Sequence, residues 1–148
     1  MVQRQSWCGK IVTAVIDASA LVAFCLNEEG LDRQRLKTRF REGVISVDLI
    51  RVESANAILI SKRRGVTKDS AVKLALSSMF ELSRNNIKLI PQDDELISNA
   101  FEISESMTLA IYDSLYLSLA KRMNASLLSK DEGQVKAARS LGIKTENI

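Results

Sequence analysis

The sequence of 148 residues contains no histidine, and this absence excludes several kinds of catalytic site. A Ser-His-Asp triad, a histidine general base and a histidine-ligated zinc ion all need an imidazole ring. Any catalysis must therefore depend on carboxylates, amines, hydroxyls or a bound metal ion. Proline occurs once and aromatic residues make up only 5% of the chain, whereas 46% of the residues are hydrophobic. This composition predicts a folded globular protein rather than a disordered or fibrous one.

Charges of the two signs are nearly balanced, with 21 Lys and Arg residues, 18 Asp and Glu residues and a net charge of +3. The balance permits a nucleic-acid partner without requiring one, because no long run of like charges occurs. Asp17 interrupts the apolar stretch 11–26, and no stretch reaches the length of about 18 apolar residues that a transmembrane helix needs. We therefore expect a cytoplasmic protein without membrane contact.

The two cysteines, Cys8 and Cys25, form no Cys-x-x-Cys motif and are too few for a structural zinc site. Cys25 lies in the apolar run 21–26 and is interpreted as a small buried hydrophobic residue. A disulfide between the two cysteines is the alternative, which a cytoplasmic location disfavours.

Short apolar runs rich in β-branched residues alternate with helical patterns along the chain. Strands are predicted at 11–16, 44–47, 87–90, 126–129 and 143–145. Helices are predicted at about 18–26, 30–41, 49–64, 67–85, 94–106, 111–123 and 132–141, with Thr67 as the N-cap of the fourth. Parallel strands need crossover connections, so this order predicts an α/β fold. We expect one three-layer α/β/α domain over residues 11–148, with a mostly parallel sheet of four to five strands, preceded by a polar leader at residues 1–10.

Two acidic residues follow predicted strands closely. Asp17 comes directly after the strand at 11–16, and Asp131 comes two residues after the strand at 126–129. Ligands of parallel α/β sheets bind beyond the carboxyl ends of the strands. We therefore expect both carboxylates at one edge of the sheet.

Two further acidic residues share helical register with apolar positions. Glu53 is in register with Leu49, Asn56 and Ile60, and Asp113 is in register with Leu117 and Ala120. This spacing predicts that both carboxylates face the sheet. A buried carboxylate must be neutral, paired or bound to a metal ion.

Structural roles for the same acids remain open alternatives. Glu53 could form a salt bridge with Arg51 or Lys62, whereas Asp17 and Asp113 could each cap a helix. Four carboxylates at one sheet edge would repel one another, and divalent cations with oxygen ligands relieve such repulsion. The set of four acids therefore favours a metal site.

Four segments resemble the motifs of PIN-domain ribonucleases, and among these the toxins of VapBC toxin–antitoxin modules. They are D-A-S-A-L-V from Asp17, E-x-x-N from Glu53, I-Y-D-S-L-Y-L-S-L-A around Asp113 and L-L-S-K-D ending at Asp131. The resemblance extends over about residues 12–145. It implies a PIN-like fold and an endoribonuclease that depends on Mg²⁺ or Mn²⁺. The implied metal ligands and catalytic residues are Asp17, Glu53, Asp113 and Asp131, supported by Ser19, Asn56 and Ser129.

The last motif departs from the family pattern, which usually has Thr-x-Asp where this chain has Ser129-Lys130-Asp131. Serine retains the hydroxyl group, but Lys130 places a cation next to Asp131 in the sequence. Of the four acids, Asp131 is therefore the one whose motif departs from the family pattern. The family also often has a proline shortly before the helical glutamate, where this chain has Val47-Asp48.

The resemblance implies RNA as substrate, a small antitoxin as partner and a homodimer. RNA must approach an acidic crevice, so cations are expected at its rim. The candidates are Arg51, Lys62, Arg63, Arg64, Lys121, Arg122 and Lys130, although those at helix ends could serve only the helix dipole. The tyrosines Tyr112 and Tyr116 are predicted to pack in the core rather than to stack on bases.

Three other functions compete with this interpretation. A non-catalytic PIN-like interaction domain would retain the fold without activity, and it need not bind Mg²⁺. A phosphatase of the haloacid-dehalogenase type needs a second aspartate two residues after Asp17, where this chain has Ser19. A receiver-type phosphoacceptor is disfavoured because Asp17 follows the first strand.

Overall fold

Short runs of buried apolar residues form a four-stranded parallel sheet in the computed structural model, which describes residues 14–148. The strands are β1 (Ala14–Ile16), β2 (Val44–Val47), β3 (Ile87–Ile90) and β4 (Ser126–Leu128), in the order β3-β2-β1-β4. The central strands β1 and β2 are buried throughout, as expected for strands covered on both faces. Their one polar side chain, Ser46, donates a hydrogen bond of 2.7 Å to the Ile16 carbonyl.

The described residues form seven helices. They are α1 (Ala18–Cys25), α2 (Arg33–Glu42), α3 (Ile50–Arg63), α4 (Asp69–Asn85), α5 (Asp94–Met107), α6 (Ile111–Met123) and α7 (Glu132–Ser140). Helix α6 packs on β1, β2 and β4 and is covered by α5, whereas α1, α3 and α4 pack against one another. Between residues 14 and 148, no helix is long and apolar enough to span a membrane.

The α/β class and the parallel sheet are confirmed, and most predicted boundaries agree with the structure to within one or two residues. The start of α2 was predicted too early, because Asp32 caps the helix by accepting the Arg35 N–H at 3.0 Å. The N-cap prediction for Thr67 is wrong. Helix α4 begins only at Asp69, and the Thr67 hydroxyl instead lies 2.5 Å from that of Ser61.

The predicted strand at 143–145 is wrong, since this segment makes a single parallel bridge, between Thr145 and Leu127. Side-chain and main-chain hydrogen bonds both hold the segment in place. The Glu146 carboxylate accepts hydrogen bonds from Arg39 at 2.7 Å and from Ser126 at 3.1 Å. Two main-chain hydrogen bonds join the same segment to β4.

Some predictions fall on residues that the structure does not describe. These are the leader at 1–10, the first three residues of the predicted strand at 11–16, and Cys8. The second cysteine, Cys25, is a buried free thiol, as its apolar neighbours predicted. Burial raises the pKa of this thiol to about 12, so it is uncharged near neutral pH.

Candidate active site

The carboxyl ends of β1 and β4 place two of the predicted motifs side by side. In this pair of parallel strands Ile16 lies opposite Leu128. Asp17 follows β1 directly and donates its main-chain N–H to the Leu128 carbonyl at 3.1 Å. Ser129 follows β4 directly, so the segment leading to Asp131 starts beside Asp17.

Asp17 is buried, with 4% of its surface exposed, and its carboxylate is held by hydrogen bonds. The Ser19 hydroxyl at 2.6 Å and the Ala20 N–H at 3.0 Å both donate to Asp17 Oδ1. Asp17 thereby serves as the N-cap of α1, which confirms one of its alternative roles. The Ser19 hydroxyl also lies 3.2 Å from that of Ser129 and accepts the Lys130 N–H at 2.8 Å. The two predicted supporting serines therefore join the motifs of β1 and β4.

Asp131 is exposed and forms the N-cap of α7. Its Oδ1 atom accepts the Gln134 N–H at 2.8 Å, and its own N–H donates to the Ser129 hydroxyl at 3.1 Å. A Cβ atom at Gly133 would lie only 3.2 Å from the same carboxylate oxygen. Any side chain at this position would therefore crowd the carboxylate of Asp131. The carboxylate is thus fixed on the first turn of α7 while remaining accessible to solvent.

Asp113 lies in the first turn of α6, but it does not face the sheet as its register predicted. The residue is exposed, whereas every residue from Ser114 to Ala120 is buried. The buried part of α6 begins at Ser114, one residue after Asp113. Sharing helical register with the buried residues Leu117 and Ala120 therefore does not bury Asp113. Nor does Asp113 cap the helix, since the N-cap position of α6 is Ala110.

Glu53 is half-buried at the edge of the buried face of α3. The prediction that it shares an apolar face with Leu49, Asn56 and Ile60 is wrong, because Asn56 and Ile60 are exposed. Among the described residues, Asn56 makes no side-chain hydrogen bond to the four acids, and its supporting role stays a prediction. The buried face of the helix is formed by Ile50, Ser54 and Ile58.

The partner of Glu53 is a tyrosine on a different helix rather than a cation. The Tyr116 hydroxyl, on α6, donates a hydrogen bond to Glu53 Oε2. In the described part of the chain neither Arg51 nor Lys62 forms a salt bridge with Glu53, and Lys62 pairs with Asp69 at 3.5 Å. The salt-bridge alternative for Glu53 is therefore wrong.

The four acids influence one another electrostatically. Burial raises the pKa of the Asp17 carboxyl to about 6 against the opposing effect of its hydrogen bonds, and the charge of Asp131 raises it further. Although Asp113 is exposed, partial loss of hydration and the charge of Asp131 raise its pKa as well. The pKa of Glu53 is raised by burial and by Asp113, while the Tyr116 hydroxyl opposes the rise. The acids therefore form one connected group of negative charge.

The chemistry of this group fits a divalent cation. In the described part of the chain, no lysine or arginine forms an ion pair with Asp17, Glu53, Asp113 or Asp131. A partly buried cluster of unpaired carboxylates is unfavourable unless a cation accompanies it, and Mg²⁺ prefers such oxygen ligands. Across residues 14–148, however, no three acidic or cysteine side chains form a closed set of metal ligands. The site thus has the donors for a metal ion without a preformed cage.

The clusters of cations at helix ends do not border the acids. Lys62, Arg63 and Arg64 end α3, about nine residues beyond Glu53, which is roughly 14 Å along the axis. Arg122 ends α6 and donates two hydrogen bonds to the Asp93 carboxylate, at 2.8 and 3.0 Å. This contact holds the pKa of Asp93 at about 2. The positions of both clusters favour the alternative, in which these cations stabilise the C-terminal ends of their helices through the helix dipole.

Two of the predicted rim cations lie closer to the acids in sequence. The Lys130 ammonium donates to the main-chain oxygen of Ile148 at 3.1 Å, so it does not pair with the neighbouring Asp131. The Arg51 guanidinium carbon lies 5.5 Å from the centre of the Phe80 ring, a cation–π contact on α4. Lys130 therefore leaves the charge of Asp131 uncompensated.

Two contacts of the site were missed by sequence reasoning. Tyr116 is buried as predicted, but only the structure shows that its hydroxyl binds Glu53, whereas Tyr112 is 55% exposed and its predicted core position is wrong. Gln134 contacts the segments of both Asp113 and Asp131. The position of Tyr116, one helical turn after Asp113, was a usable signal, whereas nothing in the sequence indicated the side-chain contact of Gln134.

Comparison with models of known protein families shows to which family this chain belongs. Residues 14–140 match the model of the PIN domain, which covers most of the chain. The chain belongs to the PIN-domain family. The match includes all four acids, and the parallel sheet with its helices is the architecture of this family.

Three relatives extend this PIN-domain assignment. Ribonuclease VapC3 of Pyrobaculum aerophilum is 25% identical over 117 residues, which are 79% of this chain and 88% of that protein. The crystal structure of PAE2754 from the same organism matches with a TM-score of 0.69 at 19% identity, covering 98% of this chain and 92% of the other. The structure of FitAcB from Neisseria gonorrhoeae matches with a TM-score of 0.63 at 15% identity, covering 91% and 97%. The two structural matches concern the fold.

Proposed function

We propose that this PIN-domain protein is an endoribonuclease that hydrolyses RNA phosphodiester bonds with Mg²⁺ or Mn²⁺. The observation that supports it best is the group of four interacting carboxylates, namely Asp17, Glu53, Asp113 and Asp131, which have no cationic partner among residues 14–148. PIN-domain proteins are typically nucleases and generally depend on metal ions. The name of the relative Ribonuclease VapC3 favours RNA as the substrate.

In this proposal Asp17 and Asp113 would hold the principal cation, and Glu53 and Asp131 would bind it through water or hold a second ion. When bound, the cation lowers the pKa of a coordinated water molecule and offsets charge on the phosphoryl oxygens. The chain itself supplies the negative site that attracts this cation and has no histidine to act as an alternative base.

The remaining polar groups orient the carboxylates. The Ser19 hydroxyl and the Ala20 N–H both donate to Oδ1 of Asp17, and these two hydrogen bonds fix the orientation of the carboxylate. The Tyr116 hydroxyl occupies one oxygen of Glu53 in the same way. Orientation of ligands by such contacts is what tunes metal affinity in protein sites.

We also propose that the protein is the toxin of a toxin–antitoxin pair and forms a homodimer. A small antitoxin would cover the site and insert a basic side chain among the unpaired acids, where its charge is complementary. Co-purification with the product of the immediately upstream reading frame tests the pair, and light scattering of the isolated protein tests the dimer. A monomeric mass by light scattering contradicts the homodimer, and failure to co-purify with the upstream gene product contradicts the toxin–antitoxin pair.

Removal of metal ions is expected to abolish cleavage. Protein treated with EDTA and dialysed should leave a fluorescently labelled single-stranded RNA intact, and added Mn²⁺ or Mg²⁺ should restore cleavage, because the cation supplies the activated water. A DNA oligonucleotide of the same sequence serves as the comparison substrate. Cleavage that persists in EDTA contradicts the proposal, and metal-dependent cleavage of DNA alone contradicts the choice of RNA.

A non-catalytic PIN-like interaction domain is the second candidate. The lack of a closed set of three ligands among residues 14–148 favours it, since such a domain has no need of a preformed site. Calorimetric titration with Mn²⁺ separates the two functions. The nuclease predicts saturable binding that disappears in Asp17→Asn, whereas the interaction domain predicts no binding.

Removing the Tyr116 hydroxyl is expected to weaken cleavage while the fold is retained. In Tyr116→Phe the ring still fills its buried position, but Glu53 loses its hydrogen-bond donor and its fixed orientation. Loss of such a contact typically reduces metal affinity or activity by about 10- to 100-fold. Cleavage rates at a fixed Mn²⁺ concentration measure the effect. The exposed Tyr112→Phe is the matched control, and equal rates for the two variants contradict the role of Tyr116.

A further inference from the structure

Gln134, in the first turn of α7, joins the segments that carry two of the acids. The residue is buried, with 3% of its surface exposed. Its main-chain N–H donates to Asp131 Oδ1 at 2.8 Å, and its side-chain Nε2 donates to the Asp113 carbonyl oxygen at 2.8 Å. One residue therefore contacts the carboxylate of Asp131 and the main chain of Asp113.

The orientation of the Gln134 amide follows from its partner. A main-chain carbonyl can only accept a hydrogen bond, so the NH₂ group of the amide must face Asp113. The other end of the amide, Oε1, is buried without a hydrogen-bond partner among the described residues. A half-satisfied buried amide is less favourable for stability than an apolar side chain of similar shape. Stability therefore does not explain a glutamine at this position.

We propose that Gln134 is a positioning residue that sets the separation of Asp113 and Asp131 by tying the first turn of α6 to the N-terminus of α7. This inference rests on the proposed function. Gln134 itself need not touch RNA or the cation, since its side chain acts on the main chain of Asp113. The electrostatic influence of Asp131 on Asp113 supports the proximity of the two acids.

The test uses Gln134→Met in the full-length chain. Methionine has similar length and flexibility but no amide, and the main-chain contact with Asp131 is retained. RNA cleavage is measured as a function of Mn²⁺ concentration. We expect the half-saturating Mn²⁺ concentration to rise by about 10- to 100-fold, with a smaller change in rate at saturating Mn²⁺. Gln34→Met, at an exposed position of α2, is the matched control and should leave the Mn²⁺ dependence unchanged.

An unchanged Mn²⁺ dependence in folded Gln134→Met overturns the inference, and so does a lower unfolding temperature as its only effect. If Gln134→Met does not fold, Gln134→Leu removes the amide donor without adding charge to the acidic group. It should shift the Mn²⁺ dependence in the same direction. Calorimetric Mn²⁺ affinity provides a readout without RNA. If the wild type binds Mn²⁺ but cleaves no RNA, the proposed function fails. The ratio of the Mn²⁺ affinities of the wild type and the Gln134 variant still decides the role of Gln134.

Discussion

Asp113→Asn is expected to reduce RNA cleavage by about a thousand-fold or more at saturating Mn²⁺. The substitution keeps the size of the side chain and removes its charge, which is exposed at the N-terminus of α6 and accessible to a cation. Charge stabilisation by a catalytic metal ion is worth several kcal/mol. A loss of about 4 kcal/mol corresponds to a factor of about one thousand in rate.

The measurement is a single-turnover cleavage assay with a labelled RNA oligonucleotide. Asp94→Asn is the matched control, because Asp94 is also exposed in the first turn of a helix. Its neighbour Asp93 pairs with Arg122, which lies at the opposite end of α6 from Asp113. This control should cleave at the wild-type rate. If Asp113→Asn cleaves as fast as Asp94→Asn, Asp113 is not part of the catalytic site.

Asp17→Asn is expected to make the metal-free protein more stable while it abolishes cleavage. Burial and the charge of Asp131 raise the pKa of Asp17 from 3.8 to about 6, so the ionised form destabilises the folded state near neutral pH. A shift of about two pKa units corresponds to roughly 3 kcal/mol, an upper limit for the gain. Asparagine retains the Oδ1 atom that caps α1.

The pH dependence of this gain has a defined sign. Because the folded-state pKa of Asp17 lies above the unfolded-state value, the folded state binds more protons. The wild type therefore loses stability as pH rises from about 4 through about 6. Asp17→Asn lacks this loss, so the difference between the two proteins should be small at pH 4 and reach its full value above pH 7.

Urea unfolding in EDTA at pH 4 to 8 measures the effect. Asp32→Asn is the matched control, because Asp32 also caps a helix but is exposed. Added Mn²⁺ should stabilise the wild type by binding to the folded state and leave Asp17→Asn nearly unchanged. A variant that is no more stable than the wild type at pH 7.5 contradicts the destabilising charge of Asp17.

The order of strands and helices was predictable because local signals agree with the fold. The buried strand β2 is recognisable in the sequence as a short apolar run. The end of α2 is recognisable by Gly43, which has a φ of 91°, a value that favours glycine. Asp17 and Asp131 were placed correctly for the same reason, since each follows a strand. Topology then brings the two residues to the same edge of the sheet.

The orientation of the helical acids was not predictable from spacing alone. Helix α6 is buried on all sides from Ser114 to Ala120, so an apolar register carries no information about the exposed turn before it. The orientation of Glu53 depends on Tyr116, which lies 63 positions further along the chain. Gln134 was missed for a related reason, since its side-chain contact joins two helices separated by β4.

The most direct test of the metal site is the position of Mn²⁺ in crystals of the wild-type protein. Anomalous scattering locates the ion independently of any activity assay. The proposed metal site predicts a Mn²⁺ peak within coordination distance of the Asp17 and Asp113 carboxylates, with Glu53 and Asp131 next to it or to its bound water. The absence of a peak at these carboxylates in crystals grown in saturating Mn²⁺, or a fully occupied site elsewhere, would contradict the proposed metal site.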